Sequence, residues 1–434
     1  MDTKLEQYDL VLKGGWVIDP SQSLNGRFDI AIRNDRIALI AAKLPNHRAK
    51  KTLIVDGLLV CPGFIDLHTH VYEWVTDFGL CADDVGIHSG VTTVVDQGSC
   101  GSRTFADFKA RVVENVQTDV RCFPLINQAS VQKVGIGISI FQDPETVNIE
   151  DLIQLATKDP SILRGFKAFV ESGTLSRWNM KIIQLARKVA DRTDLPLYIH
   201  TGELFSVVEA NRPNPSDVIK NLLGFLKAGD ILAHCYSSQA DGLLGNRTVV
   251  PDYLLKAIDR GVLLDLGHGQ QFSFEIARRM MAQGVLPHTV SSDVHGDFAT
   301  FHDDSTLDYS LCGSLSKLIA LGLDLVTAIA TVTIRPACVL MAESEIGTLK
   351  TGSRADITVL DLVKGDWLCH DSKGSQLLAK QKLVPTWVVR QGTVIKPHCR
   401  LLRELHITQP QESYSPAFNQ RSNFVRHRCS KRLG

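Results

Sequence analysis

Apolar and polar positions repeat with two different periods along this chain, and the change of period divides it. From residue 8 to residue 60 the period is near two. YDLVLKGGWVID, FDIAIRNDRIALI and KTLIVDGLLV are short apolar runs split by Gly-Gly, Asn-Asp and Asp-Gly turns, which predicts strands and hairpins. The same texture returns in ADITVLDL (355–362) and TWVVRQGTVI (386–395). Two β-rich segments at opposite ends of a chain are expected to meet in one small β-sandwich, with another domain inserted between them.

Between residues 62 and 340, strand-like and helix-like segments alternate, the pattern of a parallel α/β sheet or barrel. The predicted strands are PGFIDLH (62–68), TTVVDQG (92–98), VRCFPLIN (120–127), LRGFKAFV (163–170), PLYIHTG (196–202), DILAHCY (230–236), VLLDLGH (262–268) and TVSSD (289–293). Helical stripes fill the gaps; in KIIQLARKVA, residues Ile182, Leu185, Ala186 and Val189 fall on one face. Eight such units predict an α/β fold, a (β/α)8 barrel of the TIM type with its chemistry at the carboxyl ends of the strands. The expected division is sandwich 1–61, barrel 62–340, sandwich again 341–399, and a basic, flexible tail 400–434 ending VRHRCSKRLG. An open doubly wound sheet is the alternative, weakened by the absence of G-x-G-x-x-G and of a phosphate-binding GK[ST] loop.

Composition narrows the class of function. With 47 basic and 47 acidic residues the formal net charge is zero, so neither nucleic acid nor an anionic membrane is an expected partner. No apolar stretch reaches the roughly 18 residues of a spanning helix, and MDTKLEQYD lacks the apolar run of a signal peptide. The ten cysteines form no C-x-x-C pair, which suits reduced thiols; the expected location is cytoplasmic.

The reactive side chains fall at predicted strand ends. His68 and His70 close the first strand, and as i and i+2 residues they project to one face. Lys167 lies in the fourth strand, His200 and His234 end the fifth and sixth, and Asp293 ends the eighth. Each alone has a plain structural reading: a satisfied core histidine, a lysine at a strand edge, a helix-capping aspartate. Together, on one rim, they form a set of ligands for divalent metal. No G-x-S-x-G elbow offers a serine nucleophile instead.

PGFIDLHTH, the isolated strand lysine, the two later histidines and the final aspartate resemble the amidohydrolase superfamily of metal-dependent hydrolases. The terminal β segments are similar to that superfamily's accompanying β-sandwich. The run from Gly86 to Gly98, PLYIHTGE, GDILAHCY and RGVLLDLGHG resemble its amidohydrolase/deacetylase branch, close to dihydroorotases. The resemblance implies that His68 and His70 bind one metal, helped by Asp293, and that His200 and His234 bind a second. It implies that Lys167 bridges both as a carbamate formed with carbon dioxide. Zinc is the expected metal of the two sites. The implied reaction is attack on an amide or ester carbonyl by a water activated between two metals, with Asp293 as base and then acid.

For the substrate, an acylated small molecule, the small residues Ser99 and Cys100 after strand two, His268 and Gln270 after strand seven, and His295 are the candidate contacts. Arg103 and Arg177 are of the type that binds a carboxylate, although surface placement is the expectation for both. Two departures qualify the resemblance. Phe169 stands where relatives tend to carry a basic residue, and the arginine that dihydroorotases place after H-x-H is missing. Deacylation therefore ranks above cyclic-amide hydrolysis of the dihydroorotase or hydantoinase kind. A barrel kept as an inactive scaffold is the third reading. Association of the chain with copies of itself is expected from barrels of this type.

Overall fold

The computed structural model describes residues 7–45, 48–73, 75–76, 78–127, 144–295 and 310–398. The tail 400–434 and its expected flexibility lie outside the described residues.

The β-rich ends do meet. Strands β1 (Tyr8–Asp19), β2 (Leu24–Arg33), β3 (Arg36–Ala41), β4 (Ala49–Ile54) and β5 (Leu59–Pro62) join β13 (Ile357–His370), β14 (Gln376–Arg390) and β15 (Thr393–Ile395). All eight belong to one hydrogen-bonded sheet, in the order β15-β14-β13-β5-β1-β2-β3, with β4 on β1. The seam between the two ends of the chain is the antiparallel pair β5–β13, Val60 opposite Val359 and Cys61 opposite Thr358. Leu10, Leu12, Val17, Ile30, Val60, Ile357 and Val389 form the apolar core of this sheet.

One residue past β5 the chain turns into the second sheet. Gly63 is needed there, because a Cβ would collide with the Thr92 side chain and with Asp356. Strand β6 (Phe64–Thr69) then opens a parallel sheet with β7 (Val91–Gly101), β8 (Asp119–Leu125), β9 (Phe166–Phe169), β10 (Leu197–His200), β11 (Ile231–Leu232) and β12 (Leu263–Leu264), each beside the one before it. The period of two decides which side chains face the helices. In β9, Phe166 and Ala168 join the outer apolar cluster and Lys167 points the other way; in β10, Leu197 and Ile199 do so while Tyr198 packs inside. The expected stripe at 181–190 is a helix, Lys181–Thr193, burying Ile182, Ile183, Leu185, Ala186, Val189 and Ala190.

Seven of the eight expected strands are present; the eighth, 289–293, is not a strand. Its backbone makes isolated bridges to Asp265 on one side, from Thr289, and to Thr69 on the other, from Val294. Asp293 N donates to His68 O at 2.8 Å and His268 N to Ser291 O at 3.0 Å. The reason lies in its Thr and Ser side chains. Thr289 and Ser291 bond the buried carboxylate of Asp265, and Ser292 bonds that of Asp66. Side-chain bonds to two acids replace part of a regular ladder. All eight cysteines among the described residues are free, and no described helix is long and apolar enough to cross a membrane.

Candidate metal centre

The carboxyl ends of the parallel strands place His68, His70, Lys167, His200 and Asp293 around one cavity of about 320 Å³. Asp293 Oδ1 lies 3.1 Å from His68 Nε2 and 3.3 Å from His70 Nε2. Donor atoms of these three residues all fall within 4.8 Å of one another. Lys167 Nζ sits 3.5 Å from His68 Nε2. On the far side, His200 Nδ1 and His234 Nε2 approach to 2.8 Å, and the His234 ring centroid is 5.5 Å from that of His68. All six residues singled out in the sequence are thus brought together.

Two of them are held in backbone conformations that L-residues rarely adopt: φ is +58° at His234 and +50° at Asp293. Such strain persists only where the surroundings over-determine it. Asp293 is fixed by the bonds that hold its segment between β6 and the loop after β12. Gly269, from that loop, is packed so closely that a Cβ would collide with the Asp293 carboxylate.

Hydrogen bonds on the outer side set the tautomer of each imidazole. The Tyr198 hydroxyl donates to Asp265 Oδ2 at 2.6 Å, so it can only accept from His68 Nδ1, 3.0 Å away. His234 Nδ1 donates to the Gly267 carbonyl at 2.7 Å and His200 Nε2 to the Gly202 carbonyl at 3.1 Å. The lone pairs left over, on His68 Nε2, His234 Nε2 and His200 Nδ1, all face the cavity side of the cluster. Two imidazole lone pairs 2.8 Å apart repel unless a cation lies between or beside them. The donor set therefore fits divalent metal, with neutral imidazoles and a carboxylate as ligands. Ser99 Oγ is 3.0 Å from His70 Nδ1 and completes the pattern.

Protonation states agree. Burial first, then the neighbouring Lys167, keeps His68 neutral well below the usual imidazole range; burial does the same at His200. Burial takes His234 down to about 4 although Asp293 opposes it. Burial lowers the Lys167 amine to about 7, against the pull of Asp293, Asp265 and Asp96. At Asp293 burial favours the acid form, but the His70 bond and the imidazoles of His234 and His295 outweigh it and hold the carboxyl below its ordinary value.

The substrate candidates divide. Gln270 and His295 line the cavity, and the His295 ring lies 5.5 Å from that of His70. Ser99 is buried behind His70. Cys100 is fully buried in the outer apolar core, and His268 turns its Nε2 to the buried Lys317 Nζ at 2.9 Å; neither lines the cavity. Arg103 and Arg177 are exposed, as expected. Sequence reasoning missed Tyr198, Asp265, Asp66 and Asp96, and the lining residues Phe78, Leu204, Phe205, Ser206 and Gln271. Tyr198 and Asp66 had a signal: each precedes a ligand by two on the same strand, the position of an outer support.

No family model matches the chain. It is 26% identical to a deacetylase of Agrobacterium fabrum over 390 residues, covering 89% of this chain and 91% of that one. It is 28% identical to a deacetylase of Enterococcus faecalis over 397 residues, covering 89% and 99%. The fold matches a solved dihydroorotase with a TM-score of 0.73 and 24% identity, over 89% of this chain and 99% of the other. Over nearly its whole length the chain is thus similar in sequence to deacetylases and in fold to a dihydroorotase, hydrolases that act on carbon–nitrogen bonds.

Proposed function

We propose that this chain is a two-metal hydrolase that removes an acyl group, acetyl foremost, from an amide or ester of a small molecule. One observation carries the reading: four imidazoles, a carboxylate and a buried lysine converge, and the histidine protons are tied to outer acceptors. His68, His70 and Asp293 would hold one ion and His200 and His234 a second, zinc being the metal that suits them. Bound there, the ions supply Lewis-acid polarisation of the scissile carbonyl and a more acidic water.

The remaining steps belong to the protein. Lys167, neutral in good part at neutral pH because burial lowers it to about 7, adds through its lone pair to carbon dioxide and releases a proton. The product is an anionic oxygen donor where a cation would repel metal. Asp293 starts ionised, takes the proton of the attacking water, and returns it to the leaving nitrogen or oxygen. Tyr198 and Asp265 fix the His68 ring. Segment 289–294 acts as the eighth stave of the barrel and delivers Asp293 to the same rim as the strand ends.

Metal analysis with a substrate panel tests this. The expected result is about two equivalents of transition metal and turnover of N-acetyl or O-acetyl compounds. Lys167→Ala should lose turnover, with partial recovery on adding short carboxylic acids. Less than half an equivalent of metal, with no turnover after reconstitution, would favour an inactive scaffold. The fold likeness to a dihydroorotase supports a second reading, cyclic-amide hydrolysis; turnover of cyclic ureides alone would establish it over the first.

A further inference from the structure

The cavity offers a substrate two unlike sides. Its floor is the ligand cluster. The wall over His200 is hydrocarbon: the Phe169 ring lies 5.0 Å from His200 and 5.2 Å from Phe205, and Leu204 continues the wall outward. Phe78 faces it from beside His70, 5.2 Å between ring centroids. Among the described lining residues Lys167 is the single lysine or arginine, and it belongs to the floor.

Arg177, the guanidinium next to this wall, works behind it. It donates to the carbonyls of Gly173 and Ser206 and to Ser206 Oγ, and so anchors the loop that carries Leu204 and Phe205. Other bonds pin the same loop. Glu203 N donates to Asp241 Oδ1 at 2.7 Å, Leu204 N to Glu171 Oε2 at 3.2 Å, and Val208 N to Ser176 Oγ at 3.0 Å. Glu171 and Asp241 are themselves held by the start of helix Ser172–Trp178. Leu204, 51% exposed, therefore stands in solvent on a backbone that cannot fold it away. A preorganised apolar surface beside a reactive floor is what a hydrocarbon ligand group covers.

We infer that the substrate group nearest His200 is an uncharged aryl or branched alkyl group, and that Phe169 and Phe205 select it. This rests on the hydrolase reading above and adds the chemistry of the group attached to the acyl function. A carboxylate in that position would shed its hydration against two aromatic rings, and among the described residues the wall itself carries no lysine or arginine to replace the water.

N-acetylbenzylamine and N-acetylglycine form a matched pair, phenyl against carboxylate on the same acetamide. Calorimetric binding to metal-free protein should favour the benzyl compound by about tenfold or more, the scale on which apolar pockets discriminate. In metal-loaded protein kcat/KM should follow the same order. Phe169→Arg should cancel or reverse the preference. Leu204→Arg, at an exposed position that does not endanger folding, should narrow it. Equal or tighter binding of N-acetylglycine, no detectable binding of the benzyl compound, or a preference unmoved in a folded variant would overturn the inference. A retained binding preference without turnover would instead sink the hydrolase reading and leave the wall standing.

Discussion

The parallel sheet has a cavity at each end, the two are of similar size, and one alone is built for chemistry. The cavity below the amino ends of β10, β11 and β12 measures about 390 Å³, against about 320 Å³ at the carboxyl ends. Below, the charges are matched. Arg187 pairs with Asp230 and Asp191 at 2.6 Å each, Lys227 reaches Asp191 at 2.7 Å, and Asp230 also accepts from the amides of Leu197 and Lys227. Above, imidazole lone pairs and a carboxylate face one another. Left-handed residues occur at both ends, but Asp194 below merely terminates helix Lys181–Thr193, whereas His234 and Asp293 above end no helix. Neither volume nor a positive φ marks the site; convergent, uncompensated donors do.

The contrast breaks most sharply at the two carboxylates. Asp293→Asn removes the proton shuttle and should lower kcat by about 10²- to 10⁴-fold with metal content retained. Asp230→Asn at the other end should leave kcat/KM unchanged while reducing stability, since Arg187 loses the more buried of its two carboxylate partners. Wild-type kcat in the Asp293 variant would end its role as base. A smaller effect tests the outer supports. Tyr198→Phe cuts the Asp265–Tyr198–His68 relay and should weaken metal affinity or activity by about 10- to 100-fold. Chelator competition reads this directly, and unchanged affinity would show that the relay does not orient His68.

Why were the ligands legible and their surroundings not? His68, Lys167 and His200 sit in strands, and His70 one residue past the end of β6, where a period of two fixes which way a side chain points before any tertiary contact is known. The Tyr198–Asp265 bond spans 67 residues and depends on how β10 and the end of β12 are placed in depth, which periodicity does not encode. Phe205, Leu204 and Ser206 lie on a loop whose course is set by Glu171 and Asp241, both distant in sequence. TVSSD is the eighth predicted strand. Its hydroxyls chose two buried acids over a ladder, a local competition that an apolar pattern cannot show. His268 failed for a related reason: nothing in GHGQ reveals that a lysine of helix Leu311–Ala320 takes its Nε2.

The effect expected to be smallest on turnover belongs to the amino-end side, where charges serve stability. Asp119, the first residue of β8, meets Arg354 at 2.6 Å and Arg121 at 3.3 Å, and Arg354 also pairs with Asp356 at the docking face of the terminal sheet. Burial works against the Asp119 carboxylate, yet Arg121, Arg354 and Arg390 together bring it to about 2. Its unfolded value is about 3.9, so the folded state binds this proton more weakly. The stabilisation is therefore complete above about pH 4 and is lost as the pH falls from there towards about 2; the difference is worth roughly 2–3 kcal/mol. Denaturant unfolding of wild type and Asp119→Asn at a series of pH values isolates it. The variant should be less stable at pH 7 by about that amount, and the two curves should converge near about pH 2. Parallel curves across that window would mean that Asp119 is not what couples acid to the loss of this interface.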